Sequence, residues 1–399
     1  MIGGTRSFEM AKRLVSRGHE VHMITSWREP IADHEWFETE FAGIHIHWFP
    51  VEYSNQMSFP DRIKAFLIFS FKSAIKVSSI KADVVFATST PLTIALPAVY
   101  AAKKQKIPMV LEIRDLWPEL PISMGALKNP ITRFLAKRLE IFAYKNAASI
   151  VALSPGMKEG VLRTGYPPKN IAVIPNSSDI DIFQVDSSVG DAFRAKREWL
   201  CNKPLLVYTG AFGLINGVCY MVDLAVELAK LNSDVRILLI GKGIDFHKVT
   251  ELANACGVLN KNLFIEEALA KNEIPGVLSA ATMASSLFLD IPEMRSNSAN
   301  KFFDALASGT PVMINYGGWM HDLLIEHDCG LPMWKKSIVQ VANELDSKLH
   351  SKEWLKEASL SAKKLAEECF DRDILANKLI AVLQSAVEGK PQRAADIAP

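Results

Sequence analysis

Short apolar runs alternate with helix-patterned segments from Glu20 to Ile314, and this alternation constrains the fold more tightly than any other feature. Ile44–Phe49, Asp83–Ala87, Pro108–Ile113, Ala148–Leu153 and Ile171–Ile174 read as strands. Helices are predicted between them, over Leu92–Lys104, Ile131–Asn146 and Ser154–Arg163. The second half repeats the rhythm, with strands over Leu205–Thr209, Val235–Ile240, Leu263–Glu266 and Ser286–Leu289. Strands that alternate with helices build a parallel sheet covered by helices, so the class is α/β. A chain of 399 residues accommodates two such domains. The reading places them at 1–180 and 181–370, with Asp179–Val189 as a linker. Residues 371–399 form a C-terminal helix that could return to the first domain, and a tail.

The opening is abrupt. Met1-Ile-Gly-Gly-Thr-Arg6 leads into a helix over Ser7–Arg17, stopped by Gly18, and a strand over Glu20–Thr25. In an α/β domain a strand is expected ahead of such a Gly-Gly turn. Either the start site is set too late or the N-terminal domain lacks its first strand. An in-frame apolar segment upstream of Met1 would decide between them.

Composition narrows the function classes. The chain is 49% hydrophobic and 22% charged, which suits a globular protein, and its net charge of +1 argues against a general nucleic-acid binder. Residues 1–184 carry 22 basic and 17 acidic side chains, and residues 185–399 carry 23 and 27. The basic excess concentrates between Pro60 and Val110, which suggests a phosphate-rich or membrane-surface partner. A helix predicted from Pro60 or Asp61 to Ser79 sets Phe66, Leu67, Phe69 and Phe71 among Arg62, Lys64, Lys72 and Lys76. It reads either as a core helix with lysines at its rim or as a helix lying in the headgroups of an anionic membrane. The longest uncharged run, Val84–Ala102, is interrupted by Pro91 and Pro97 and reads as strand, loop and helix rather than a span. All five cysteines lie in the second half without a C-x-x-C pair, so neither a disulfide framework nor a zinc site is expected, and the compartment expected is a reducing cytoplasm. His45 and His47 are expected to face solvent, without a third metal ligand nearby.

The stretch Ser296–Asn315 carries the sharpest chemistry. Ser298 or Asn297 can cap a helix. Phe302, Phe303, Leu306 and Ala307 then share one face, and Lys301, Asp304 and Ser308 the other. Gly309 and Pro311 stop the helix. A helix N-terminus favours an anion such as a diphosphate, Lys301 would add a full charge, and Asp304 is an acceptor for sugar hydroxyls. An ordinary surface helix with a solvated Lys and Asp would show the same spacing. Two Gly-rich turns follow strands, Gly210-Ala-Phe-Gly-Leu-Ile-Asn-Gly217 and Gly241-Lys-Gly243, where backbone can approach a ligand; neither is a complete phosphate-binding motif. Arg114-Asp-Leu-Trp-Pro-Glu119 follows a strand, where ligands of parallel sheets bind, although an Arg114–Asp115 structural ion pair would read alike.

Taken together these stretches resemble the family 4 retaining glycosyltransferases of GT-B fold, two Rossmann-like domains facing a cleft. The resemblance is carried by Gly3-Gly4 with Gly18-His-Glu-Val, by Val110–Glu119, Leu153-Ser-Pro-Gly-Met, Ile174-Pro-Asn-Ser-Ser-Asp179 and Asn300–Val312. Tyr53-Ser-Asn-Gln-Met-Ser and Asn315-Tyr-Gly-Gly-Trp319 look like the O-antigen and capsule subgroup that includes L-fucosamine-type transferases. The resemblance implies a metal-independent hexosyltransferase that moves a sugar from a nucleoside diphosphate, UDP by preference, to a lipid-linked saccharide in lipopolysaccharide or capsule synthesis. It implies no cofactor beyond the nucleotide sugar as substrate, no nucleic acid, and a cytoplasmic protein peripheral to an anionic membrane. Donor-side residues would be Gly210, Gly213, Asn216, Lys242, Leu269, Arg295, Ser298, Asn300, Lys301 and Asp304. Gly3, Gly4, Trp117 and Glu119 would lie on the acceptor side, and Arg114, Asp115 and Lys301 would be catalytic.

Departures accompany the resemblance. The first of the family's two glutamates falls on Ser296 and the second on Asp304; its basic pair falls on Ala211 and Asn216; its His-Asp is Arg114-Asp115. Donor phosphate must then meet Lys301, Lys242, Arg295 or Arg114. Two rival functions share the architecture: a sugar-nucleotide 2-epimerase, which would need no lipid acceptor, and a non-catalytic scaffold, which need not bind UDP.

Overall fold

The computed structural model describes residues 6–29, 35–53, 57–89 and 91–398. The chain forms two compact units, Gly4–Pro175 with Leu375–Pro399, and Asn176–Ile374. It leaves the first unit a few residues before position 180 and rejoins it a few residues after position 370.

In the N-terminal unit, β1 (Val21–Trp27), β2 (Phe37–Phe41) and β3 (Ile44–Pro50) make a sheet of order β1-β3-β2, with β1 parallel and β2 antiparallel to β3. A second sheet holds β4 (Val85–Ser89), β5 (Met109–Ile113), β6 (Ser149–Ala152) and β7 (Ile171–Val173) in chain order, all parallel. β5 and β6 are buried at every position, which is why they read as continuous apolar runs. On one face Val110, Val151 and Ala172 pack with Met10 of the Arg6–Ser16 helix and with Leu379 and Leu383 of the Arg372–Val387 helix. On the other, Leu111 and Ile150 pack with Ala98, Tyr144 and Met157 from three further helices.

The first helix is anchored by a buried cation. Arg6 Nε pairs with Glu112 Oε1 at 2.7 Å, and Nη1 and Nη2 donate to the carbonyls of Pro175 (2.5 Å) and Ile174 (2.9 Å). The planar guanidinium thus joins the helix start to the carboxyl ends of β5 and β7, a geometry lysine cannot match.

The C-terminal unit has one parallel sheet of order β10-β9-β8-β11-β12-β13. Its strands are β8 (Leu205–Ala211), β9 (Arg236–Lys242), β10 (Leu263–Glu266), β11 (Met283–Ser286), β12 (Val312–Ile314) and β13 (Gly330–Pro332). Helices cover both faces over two buried apolar clusters. Residues 176–179 run beside 370–372: Ser178 N–H donates to Phe370 O, Arg372 N–H to Ser178 O, and the Arg372 guanidinium reaches Asp179 (3.2 Å) and Ser177 O (2.6 Å).

Four expectations need correction. The proposed linker over Asp179–Val189 is helical over Ile180–Phe183 and Ser187–Ala195, because Phe183 buries in the C-terminal core and Asp186 caps the second helix. The strand expected at Ser286–Leu289 lies at Met283–Ser286, paired on both sides by β8 and β12. His47 does not face solvent: β3 is the central strand, and His22 (3.0 Å) and Glu38 (2.9 Å) cover its ring, while His45 is exposed. The Asn300–Ser308 helix has Ala299 at its N-cap with no side-chain cap, since Ser298 Oγ is taken by the Asn176 N–H (2.9 Å) and Asn297 donates to Met294 O. No helix among the described residues is long and apolar enough to cross a membrane, and the uncharged run passes through β4 into the Ala95–Gln105 helix. Gly3 and Gly4 lie outside the described residues.

Candidate active site

In the C-terminal sheet, β8 leads outward to β9 on one side while β11 leads to β12 on the other. Such a reversal opens a crevice beyond the carboxyl ends of the two central strands, where ligands of parallel sheets bind. Gly210 lies at that end of β8, and the loop after β11 delivers the Asn300–Ser308 helix.

Lys301, in the first turn of that helix, reaches the crevice. A Cβ added at Gly210 would lie 2.8 Å from Lys301 Nζ and would displace the lysine's end, and the φ of +153° strains any side chain there. Nζ donates to Tyr208 Oη (3.0 Å) and lies 4.2 Å from the centre of its ring. Tyr208 donates in turn to Ala211 O (2.7 Å), and burial pushes its phenol well above the usual range, so it stays neutral. No carboxylate among the described residues pairs with Lys301. The lysine keeps some accessible surface, yet the surrounding atoms leave its ammonium little water, and desolvation lowers it from 10.5 to about 7. A cation in this state is stabilised by an arriving anion.

Asp304, one turn on, is held differently. Oδ1 accepts from Ser178 Oγ (2.8 Å), and Oδ2 has no partner among the described residues. Burial raises its carboxyl from 3.8 to about 6, against the lowering influence of Ser178, Arg372 and Lys271. The opposite face of the helix, Phe302, Phe303, Leu306 and Ala307, is fully buried, and Gly309 ends the helix at φ +72°.

The loop before the helix is built from beneath by Asn315–Trp319. Tyr316 Oη meets Ser286 Oγ at 3.0 Å, Trp319 Nε1 donates to Asn297 O (2.7 Å), and Asn315 Oδ1 accepts from Phe288 N–H (3.1 Å). These residues therefore fix where the helix begins.

The remaining donor-side candidates spread around the crevice. Gly213 and Asn216 form the 3₁₀ turn after β8, with Asn216 buried. Lys242 closes β9, exposed and opposite Ala211 in register. Leu269 is half-buried in the loop after β10, and Asn300 is exposed at the helix start. Arg295 is already engaged, by Asp290 at 3.1 Å and by the Trp334 ring, so it is not a free cation. Arg114, Asp115, Trp117 and Glu119 belong to the N-terminal unit, all half-buried beyond β5. The Arg114 N–H donates to Ser89 Oγ (3.2 Å), and Glu119 lies 3.7 Å from Lys137, which also pairs with buried Glu140. Tyr208, Asn176 and Ser178 were missed by sequence reasoning: Tyr208 looks like any inward aromatic of a strand, and the other two act across more than a hundred residues. Among the described residues, no group of three or more His, Cys, Asp or Glu could hold a metal ion.

Residues 3–177 match the family described as "Glycosyl transferase 4-like domain". The structure superposes on WaaG, a glycosyltransferase involved in lipopolysaccharide biosynthesis, with a TM-score of 0.70 at 16% identity over 96% of each chain. The fold is that of the GT-B glycosyltransferases. A second GT-B structure, HepE from Anabaena in complex with UDP-glucose, gives a TM-score of 0.68 at 15% identity, over 86% of this chain and 87% of that one. Alpha-maltose-1-phosphate synthase of Mycolicibacterium smegmatis is 24% identical over 234 residues, 56% of this chain. The match spans 58% of that relative's length.

Proposed function

We propose that the protein is a retaining, metal-independent glycosyltransferase that moves a sugar from UDP to a lipid-linked saccharide in bacterial surface polysaccharide synthesis. One observation carries this reading: Lys301 is a desolvated cation with no anionic partner among the described residues, set on Tyr208 against Gly210 beside an uncapped helix start. Backbone N–H groups and an ammonium so placed suit a pyrophosphate, whose negative charge grows as the sugar departs. The leaving phosphate itself takes the acceptor's proton. HepE, whose fold this chain shares, was crystallised with UDP-glucose, and WaaG is involved in lipopolysaccharide biosynthesis, which supports the choice of donor class and pathway type.

Arg114 and Asp115 act on the acceptor side in this reading, with Trp117 and Glu119 beside them. A membrane surface as the source of acceptor is supported by the N-terminal unit's apolar exposure. Leu67, Ile68, Phe71 and Ile75 on one helix and Ile131, Phe134 and Leu135 on another are exposed, near Lys64, Lys72, Lys76 and Arg138. Cationic helices with exposed apolar residues bind anionic headgroups, which supports a position at the cytoplasmic face of a membrane.

The test is incubation with a panel of nucleotide sugars and a membrane fraction, followed by a search for labelled lipid product. Product dependent on both components supports the reading. Conversion of a UDP-sugar without any acceptor would instead identify an epimerase.

Two finer results are expected. Above pH 7 the empty protein loses the Lys301 proton, so UDP binding must take it up. Affinity should therefore fall with rising pH, approaching about one log unit per pH unit, and calorimetry in buffers of different ionisation heat should register proton uptake. Lys301→Met should flatten that dependence. Asp304→Asn should weaken uridine, UMP and UDP alike by about tenfold, because all three share the ribose whose hydroxyls the carboxylate accepts from. Unchanged UDP affinity would remove Asp304 from the donor site.

A further inference from the structure

The C-terminal unit carries a second polar cavity, at the end of its sheet opposite the crevice. About 520 Å³ in volume, it lies among the ends of the Cys219–Lys230 and Phe246–Ala255 helices and the starts of β9 and β10. Arg236 opens β9 and Lys242 closes it, so this seven-residue strand sets the cavity about 20 Å from the crevice. No residue of the proposed donor site lines it.

The lining holds three cations, Lys230, Arg236 and Lys261, and no carboxylate. Lys230 pairs with Glu227 at 2.6 Å. Asp234, two residues before Arg236, and Asp346, which accepts from Ser233 Oγ, are both turned to His350 (2.9 and 3.6 Å). Lys261 has no ion pair among the described residues, and its Nζ lies 3.7 Å from where a Cβ on Gly257 would stand. Each helix that ends here brings about half a negative charge, so three cations against Glu227 and two helix ends leave an excess of about one positive charge.

Two buried polar atoms complete the pattern. Arg236 Nη1 donates to the carbonyls of Asp234 (3.0 Å) and Val235 (3.4 Å), whereas Nε is buried and has no acceptor among the described residues. Asn262, 6% exposed, donates through Nδ2 to Ala225 O (2.7 Å), and its Oδ1 is buried without a donor among the described residues. Buried polar groups are almost always paired, so a complementary ligand brings negative charge, acceptor oxygens and an O–H donor together.

We propose that this cavity binds a phosphate monoester of a small polyol, such as a sugar or glycerol phosphate, at a site separate from that of the nucleotide sugar. The phosphate accepts from Arg236 and Lys261, with Lys230 beside it, and a hydroxyl of the polyol donates to Asn262 Oδ1. A cavity of this volume holds several carbons besides the phosphate. Cys256 belongs to the same lining and is exposed, so its thiol reports occupancy.

The full chain should be alkylated with N-ethylmaleimide at constant ionic strength, with glycerol 3-phosphate, with glycerol or with neither, and each cysteine followed by mass spectrometry. Glycerol 3-phosphate should slow alkylation of Cys256 by about tenfold as it saturates, and leave the exposed Cys201 and Cys369 unchanged. Glycerol should protect none of them. Lys261→Gln, a change at an exposed side chain, should raise the half-protecting concentration about tenfold, the loss expected from one charged hydrogen bond. Excess UDP should leave the protection intact. Equal alkylation of Cys256 with and without glycerol 3-phosphate, slowing of all three cysteines together, undiminished protection in Lys261→Gln, or its removal by UDP would each overturn the proposal.

Discussion

Lys301→Ala is expected to lower sugar transfer by about 10²–10³-fold while the protein stays folded, the loss typical of removing one preorganised donor from a developing negative charge. The substitution removes the cation that the structure places against Gly210 and Tyr208. Folding should survive because a desolvated ammonium without a carboxylate partner contributes little to stability. Lys301→Arg is a sharper control. It keeps the charge but spreads it over a longer, planar head that cannot set a single ammonium on Tyr208 Oη as Nζ does at 3.0 Å. Activity should therefore stay low in both variants. Turnover by Lys301→Ala equal to that of the parent would remove Lys301 from the mechanism.

The largest effect on stability is expected from Arg6→Ala. Glu112, 1% exposed at its side chain, would be left charged without its cation, and two buried carbonyls would lose their donor. Breaking a buried pair from one side costs about 3–5 kcal/mol. Urea unfolding of the full chain measures it, and the transition of the N-terminal unit should be the one that moves. Adding Glu112→Ala should restore part of the loss, because the stranded charge is then gone. A loss below about 1 kcal/mol would contradict the anchoring role assigned to the Arg6–Glu112 pair.

Much of this was legible in the sequence. Continuous apolar runs marked the parallel strands because both faces of each are covered, and Gly309 marked the helix end because only glycine adopts its φ readily. Gly210 and Lys301 were grouped on the donor side through the family resemblance, and the structure sets them against each other. What escaped was long-range. The cap expected from Ser298 is absent because Asn176 takes its hydroxyl from 122 residues away. His47 is covered by a strand pairing that a period-two pattern cannot specify, since alternation gives the face but not which face is buried. Asp179–Val189 read as a linker because its order depends on Phe183 entering a core assembled from distant segments and on the Asp186 cap. Asn315–Trp319 stood out as a family-like motif, and the structure supplies its physical reason: it supports the turn from which the Asn300–Ser308 helix starts.

The most direct measurement is a calorimetric titration of UDP, UMP and uridine into the parent protein and Lys301→Met. A pyrophosphate seat at the helix start requires that the variant lose UDP affinity at least about tenfold while uridine binding is unchanged. Equal losses for all three ligands, or none for UDP, would contradict it.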